Sequence, residues 1–328
     1  MRSVILVLAL AGTALAQDDK TLAKQRDDKL AESWVKAGGW LSDYSKALSE
    51  ARKANKPILA YFTCTTQPMP YCQKIEAGVF SDSKFPEFSK GYVLYVNITS
   101  GLKKDKNQDL LGKKGGKNQF PYMVWLDTEG NVLCGTESWE FQDAQRAIPG
   151  LDDVGKRAQW FLDVKKKASS GGNPEKIDLV FAQVQMDQIK IDEAQKKLAG
   201  LGDLTADQKT VLEGLKVRDE IKATVEQFRK KATGFEDLSA AGKKWNEIRK
   251  AGRPAPPWVP ELEFYWRCIL LSARKEKDAE SFEAALKALK ARFGDSAGGS
   301  LYFHVGQETW KQFFDGCTQE LERMKAPK

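Results

Sequence analysis

Four short apolar runs, at residues 58–62, 92–98, 122–127 and 132–134, fall in the first part of the chain, and no comparable run follows residue 169. Runs this short, rich in β-branched and aromatic side chains, have the length and composition of strands. That feature divides the chain. A sheet can form only from its first half, and the second half must bury its apolar residues helix against helix. Helical spacing fills the gaps between the runs. Residues 42–55 place Tyr44, Leu48 and Ala51 on one face, with Ser42 as the expected cap. Residues 72–78 and 108–113 suit short helices, and residues 151–167 bring Val154, Ala158, Phe161 and Leu162 together. Thr128-Glu129-Gly130-Asn131 is turn chemistry, so the third and fourth runs form a hairpin. The order helix, strand, helix, strand, helix, strand, strand, helix gives an α/β fold with a mixed sheet.

Ser169-Ser170-Gly171-Gly172-Asn173-Pro174 has the composition of a linker. Beyond it, residues 177–198, 205–231, 238–250, 260–274, 279–293 and 301–314 fit helices, punctuated by Gly200, Gly202, Gly234, Gly252 and Gly294. Thr205, with Asp207 close behind, marks one helix start. Residues 175–328 are therefore expected to form an all-helical domain, a bundle or a repeat array. Residues 282–313 are similar to a tetratricopeptide-type helix pair, although no regular period runs through the domain. At the other end, Arg2, the apolar stretch 4–11 and Ala14-Leu15-Ala16 have the order of a signal peptide over residues 1–16. This predicts export, to the periplasm or the exterior. No downstream segment has the length and apolarity of a membrane span. Residues 17–32 are charged and are expected to be a mobile or weakly helical leader to a domain at residues 33–168.

A chain of 328 residues with 41% hydrophobic residues has material for two modest cores. Its 52 Lys and Arg are interspersed with 45 Asp and Glu, so the net charge of +7 forms no clustered basic face and does not point to nucleic acid. The single histidine, His304, leaves a Ser-His-Asp triad or a histidine-rich metal cage without support. The five cysteines, Cys64, Cys72, Cys134, Cys268 and Cys317, match no zinc-ligand spacing. Their odd number leaves at least one outside any internal pairing. Cys134 is expected to pack as a small hydrophobe, and Cys268 and Cys317 either bridge the helical domain or lie buried as thiols. Trp245, Trp258, Trp266 and Trp310 mark the helical core. Asn97-Ile98-Thr99 spells a glycosylation sequon, but inside a strand expected to be buried.

One group of landmarks carries chemistry. Ala51-Arg52-Lys53-Ala54-Asn55-Lys56-Pro57 leads into the first apolar run, Phe62-Thr63 closes it, and Met69-Pro70-Tyr71-Cys72 follows. Glu76, Val79-Phe80 and Ser81-Asp82 come next. Phe120-Pro121-Tyr122 and Leu126-Asp127-x-x-Gly130 stand further on. Over residues 34–168 this set resembles the thioredoxin superfamily, in particular its exported branch. The resemblance implies a Cys-x-x-Cys motif at a helix N-terminus, where free amides and the helix dipole stabilise an attacking thiolate. Here Met69 occupies the attacking position, and a thioether has no proton to lose. Cys72 keeps the resolving position. Tyr61 occupies the strand position at which many relatives carry a buried acid. Pro121 takes the place of the family's cis-proline, which implies a peptide groove lined by Met69, Pro70, Tyr71, Phe120 and Pro121.

Cys64 leaves alternatives open. The loop of residues 65–68 is short, and a disulfide between Cys64 and Cys72 would need Cα atoms within about 7 Å. The two thiols could form a relocated redox pair, a structural staple, or two separate buried groups. Cys64, Met69 and Cys72 are also soft donors suited to Cu(I). Copper-handling relatives, however, imply a downstream histidine, and His304 lies in the helical domain. The leading expectation is an exported protein that binds a protein or peptide partner, with weak or no redox turnover and no cofactor or metal. The alternatives are a thiol-disulfide oxidoreductase using Cys72 with Cys64, and a Cu(I)-binding protein. A scaffold role for the helical domain is a further expectation. Oligomeric state is left open.

Overall fold

Three helices, α1 (Asp19–Leu30), α2 (Ser33–Gly38) and α3 (Tyr44–Ala54), precede the first strand in a computed structural model. The structure describes residues 18–66, 69–102, 105, 107–116, 119–137, 144–230, 234–255, 261–293 and 310–326. The expected signal peptide, Trp258, His304 and the start of the helix expected at 301–314 lie outside the described residues. The apolar runs form β1 (Ile58–Cys64), β2 (Val93–Thr99), β3 (Tyr122–Leu126) and β4 (Val132–Glu137), in one sheet of order β2-β1-β3-β4. β1 runs parallel to β2 and antiparallel to β3, and β3 and β4 make the expected hairpin. Every residue of β1 is buried, which explains its unbroken apolar run: a central strand covered on both faces has no need to alternate. Between β1 and β2 in the chain come α4 (Pro70–Gly78) and α5 (Phe85–Ser89); α6 (Leu110–Lys113) precedes β3, and α7 (Ala144–Ser170) follows β4.

Alternation along β1 sorts its side chains onto two faces. Ile58, Ala60 and Phe62 pack with Ala47 and Ala51 of α3 and with Leu110 and Leu111 of α6. Tyr61 instead enters an aromatic cluster with Trp34, Trp40 and Phe80, all edge-on or tilted. Some local expectations change. Asp43, not Ser42, caps α3, its carboxylate accepting the Lys46 amide at 3.0 Å. The short carboxylate of Asp43 reaches the third amide of the first turn from the residue just ahead of the helix. Within the expected leader, Asp19–Leu30 is helical, α1, with the Asp18 carboxylate accepting from the Thr21 amide at 2.7 Å. α4 begins at Pro70, two residues earlier than expected, since a proline at the first position gives up an amide that would lack a partner anyway.

The chain divides into two compact units, Met1–Gln159 and Trp160–Lys328. α7 continues through Ser169 and Ser170, and α8 (Asn173–Gln185) begins at Asn173, so only Gly171 and Gly172 of the expected linker stand between helices. α9 (Ile191–Ala199), α10 (Ala206–Lys230), α11 (Phe235–Lys250), α12 (Glu261–Glu276), α13 (Ala279–Phe293) and α14 (Trp310–Lys325) follow. The single helix expected at 177–198 is two. At the break, Asp187 adopts φ 57°, and the buried Arg218 guanidinium of α10 donates to the Val184 carbonyl at 2.9 Å and to the Asp187 carboxylate. A guanidinium brought in from another helix thus satisfies a carbonyl that a continuous helix would have used itself. The main core of this unit gathers Val217, Ile221, Trp245, Tyr265, Cys268, Phe282 and Phe314, with Trp266 partly buried against it. No strand occurs among its described residues.

Candidate functional site

The chain leaves β1 at Cys64 and re-enters regular structure at Met69, the residue that caps α4 without a side-chain hydrogen bond. Met69 is half-buried. Pro70 and Tyr71 are exposed, Tyr71 by 53%, with the Lys74 ammonium 5.8 Å from its ring centroid. Cys72, one residue on, is only 2% exposed. The sulfur at the helix start is therefore a thioether, and the remaining thiol of the motif points inward.

Beneath it lies a polar cluster that the sequence did not announce. Cys72 and Glu76 are four residues apart and share one face of α4. Glu76 is 3% exposed, and its Oε1 accepts from the Tyr61 hydroxyl at 3.0 Å and the Thr63 hydroxyl at 3.1 Å. The Lys29 ammonium of α1 pairs with the other carboxylate oxygen. A buried acid thus stands beside Cys72 after all, supplied by the helix rather than by the strand position that Tyr61 fills. Its sequence signals are its place among the landmarks that follow Cys72 and the i, i+4 spacing from that residue.

The cluster sets the protonation of its members. Burial pushes the Cys72 thiol above its ordinary value; the Glu76 charge and Cys64 add to this, against the hydroxyls of Thr63 and Tyr61. Burial, with the charge of Glu76, raises Tyr61 well above the usual phenol range. Burial alone would lower Lys29, but the hydrogen bond and charge of Glu76, with Glu32, outweigh it and leave the ammonium above its ordinary value.

Cys64 ends β1 and is buried. Strand alternation sends it to the side of Phe62, whereas Tyr61 and Thr63 face α4. All five cysteines are thiols here. The structure brings Cys64, at the end of β1, within electrostatic range of Cys72 on α4. The Phe120-Pro121 bond is cis. Tyr122 pairs with Phe62, so Phe120 and Pro121 enter the sheet at the end of β1 from which the loop to Met69 departs. Pro121 is buried and Phe120 half-buried. Met69, Pro70, Tyr71, Phe120 and Pro121 thus gather at one end of the sheet. Among the described residues, no group of three His, Cys, Asp or Glu is arranged to hold a metal ion, and no helix is long and apolar enough to cross a membrane.

Residues 44–140 match a family model described as a thioredoxin-like domain. No curated protein matches the chain. A solved structure named DsbH oxidoreductase is similar over 36% of this chain and 83% of its own, at 23% identity and a TM-score of 0.29. The four-stranded sheet with its flanking helices is a thioredoxin-like domain, matched at residues 44–140 and followed by a helical second unit.

Proposed function

We propose that this protein binds a protein or peptide partner through its thioredoxin-like domain and turns over disulfides weakly or not at all. The observation that carries this reading is the exchange of roles at the start of α4. The solvent-facing helix start holds the thioether of Met69, and the thiol of Cys72 lies inside with its ionisation opposed by burial. Attack on a disulfide needs a thiolate that can reach it. A partner segment would lie beside Phe120 and Pro121, with the exposed ring of Tyr71 and the half-buried Met69 as apolar contacts. On the same reading the protein acts outside the cytoplasm, a proposal supported by the signal-peptide pattern of residues 1–16.

Insulin reduction by the wild-type chain, Cys72→Ser and Met69→Cys provides the test. The wild type and Cys72→Ser should both stay near the uncatalysed rate. Met69→Cys, which rebuilds Cys-Pro-Tyr-Cys on the same helix start, should gain turnover. Wild-type turnover lost in Cys72→Ser would overturn the binding-only reading. It would favour the alternative of an oxidoreductase using Cys72 with Cys64, for which the carboxylate of Glu76 beside Cys72 is the specific supporting observation.

A further inference from the structure

α1 has no fully buried residue along its length, and only Leu22, Ala23 and Leu30 are half-buried apolar residues, so apolar burial holds it weakly. Charge adds to the fastening: Arg26 pairs with Asp105, and Lys29 with Glu76. Both partners lie at the Cys72 end of the domain. Asp105 belongs to the chain that leaves β2, where it also accepts from the Ser100 hydroxyl. Glu76 lies one turn along α4 from Cys72. Leu22 of α1 comes close to the same place, because a Cβ on Gly101 would meet Thr66 Cγ2 at 3.2 Å and Leu22 Cδ1 at 3.8 Å. The helix therefore runs along the segments that leave β1 and β2, beside the loop that leads to Met69.

We propose that α1 is an electrostatically fastened strap over the Cys72 end of the domain. Docked, it places the Lys29 ammonium on Glu76 and closes the cluster of Tyr61, Thr63, Glu76 and Cys72 to solvent. Released, it opens that cluster and its thiol to reagents. A helix held by ion pairs with little apolar burial belongs to the less stable class of local structure, the class that opens without global unfolding. Its fastening is salt-dependent. The pair of Arg26 and Asp105, with side chains 31% and 11% exposed, is screened more than the pair of Lys29 and Glu76, at 12% and 4%. The device is independent of whether the groove beside Pro121 binds a peptide.

The test is site-resolved labelling of the full chain with N-ethylmaleimide at one fixed pH, read by mass spectrometry at Cys72, with Cys134 and Cys268 as internal references. Sodium chloride is raised from about 0.1 M to about 1 M, across which the screening length falls from about 10 Å to about 3 Å. Cys72 labelling should accelerate by about threefold or more, the scale on which such pairs weaken, while the reference cysteines stay unchanged. In Arg26→Ser/Lys29→Met it should be fast at low salt and no longer respond to salt. Hydrogen exchange should show residues 19–30 losing protection at high salt while β1 keeps it. A Cys72 rate indifferent to both salt and the double substitution would overturn the strap. So would acceleration of all three cysteines together, which reports global opening.

Discussion

At the scale of single residues, the site is defined by where its sulfurs sit: Met69 half-buried at the helix start and Cys72 buried. Met69 at the helix start cannot ionise, and Cys72 is held protonated by burial first and by the neighbouring Glu76 charge second. A thiol whose folded pKa lies above its unfolded value adds stability that is complete below the unfolded value and lost as pH rises through the folded one. Iodoacetamide labelling of Cys72 against pH should therefore inflect above the ordinary thiol value of 9.0. Glu76→Gln, which removes the nearby negative charge, should move the inflection down. An inflection below the ordinary value in the wild-type chain would sink this account. The proline at position 121, cis in the structure, was legible in the sequence, because it is a residue type read against a pattern. Glu76 was a landmark in the sequence, but its meeting with Lys29, Tyr61 and Thr63 was not legible, since the burial of a helical glutamate depends on the elements facing it.

At the scale of elements, apolar periodicity placed the strands and most of the helices, and the errors have local causes. The break between α8 and α9 is bridged by Arg218, an arginine more than thirty residues away in the chain that donates to the Val184 carbonyl, which also accepts from the Asp187 amide. The opposite case is Gly242, inside α11. On an isolated helix, glycine to alanine gains about 1 kcal/mol. Here a Cβ would stand 1.8 Å from the Cys268 carbonyl oxygen of α12, a backbone atom that cannot swing aside. Gly242→Ala should lower the stability of the helical unit by about 2–4 kcal/mol, read from the urea midpoint of its unfolding. A rise in midpoint would show that the two helices are not in backbone contact.

At the scale of the whole molecule, both units hold phenols that folding forbids to ionise. Burial pushes Tyr92 and Tyr95 in the first unit and Tyr265 in the second up to about 12 from an ordinary 10.0. The unfolded chain releases these protons at lower pH than the folded one, so stability should fall steadily from about pH 10 to about pH 12 in both units. Tyrosinate absorbance and far-UV circular dichroism, followed together through an alkaline titration, check this. The buried phenols should ionise only as ellipticity is lost. Complete tyrosinate formation near pH 10 with ellipticity intact would contradict it.

The amino-acid sequence by itself determined the division of labour: a sheet-forming first half with the landmarks of a thioredoxin-like fold, and a helical second half. Strand length, apolar period and residue type are local properties, so a linear reading reaches them. Only the tertiary structure decided that α1 pairs Arg26 with Asp105 and Lys29 with Glu76, and that Glu76 is buried beside Cys72. Burial of a charge, and the meeting of groups distant in sequence, depend on which surfaces the packed elements present to one another, and neither is a property of any single segment.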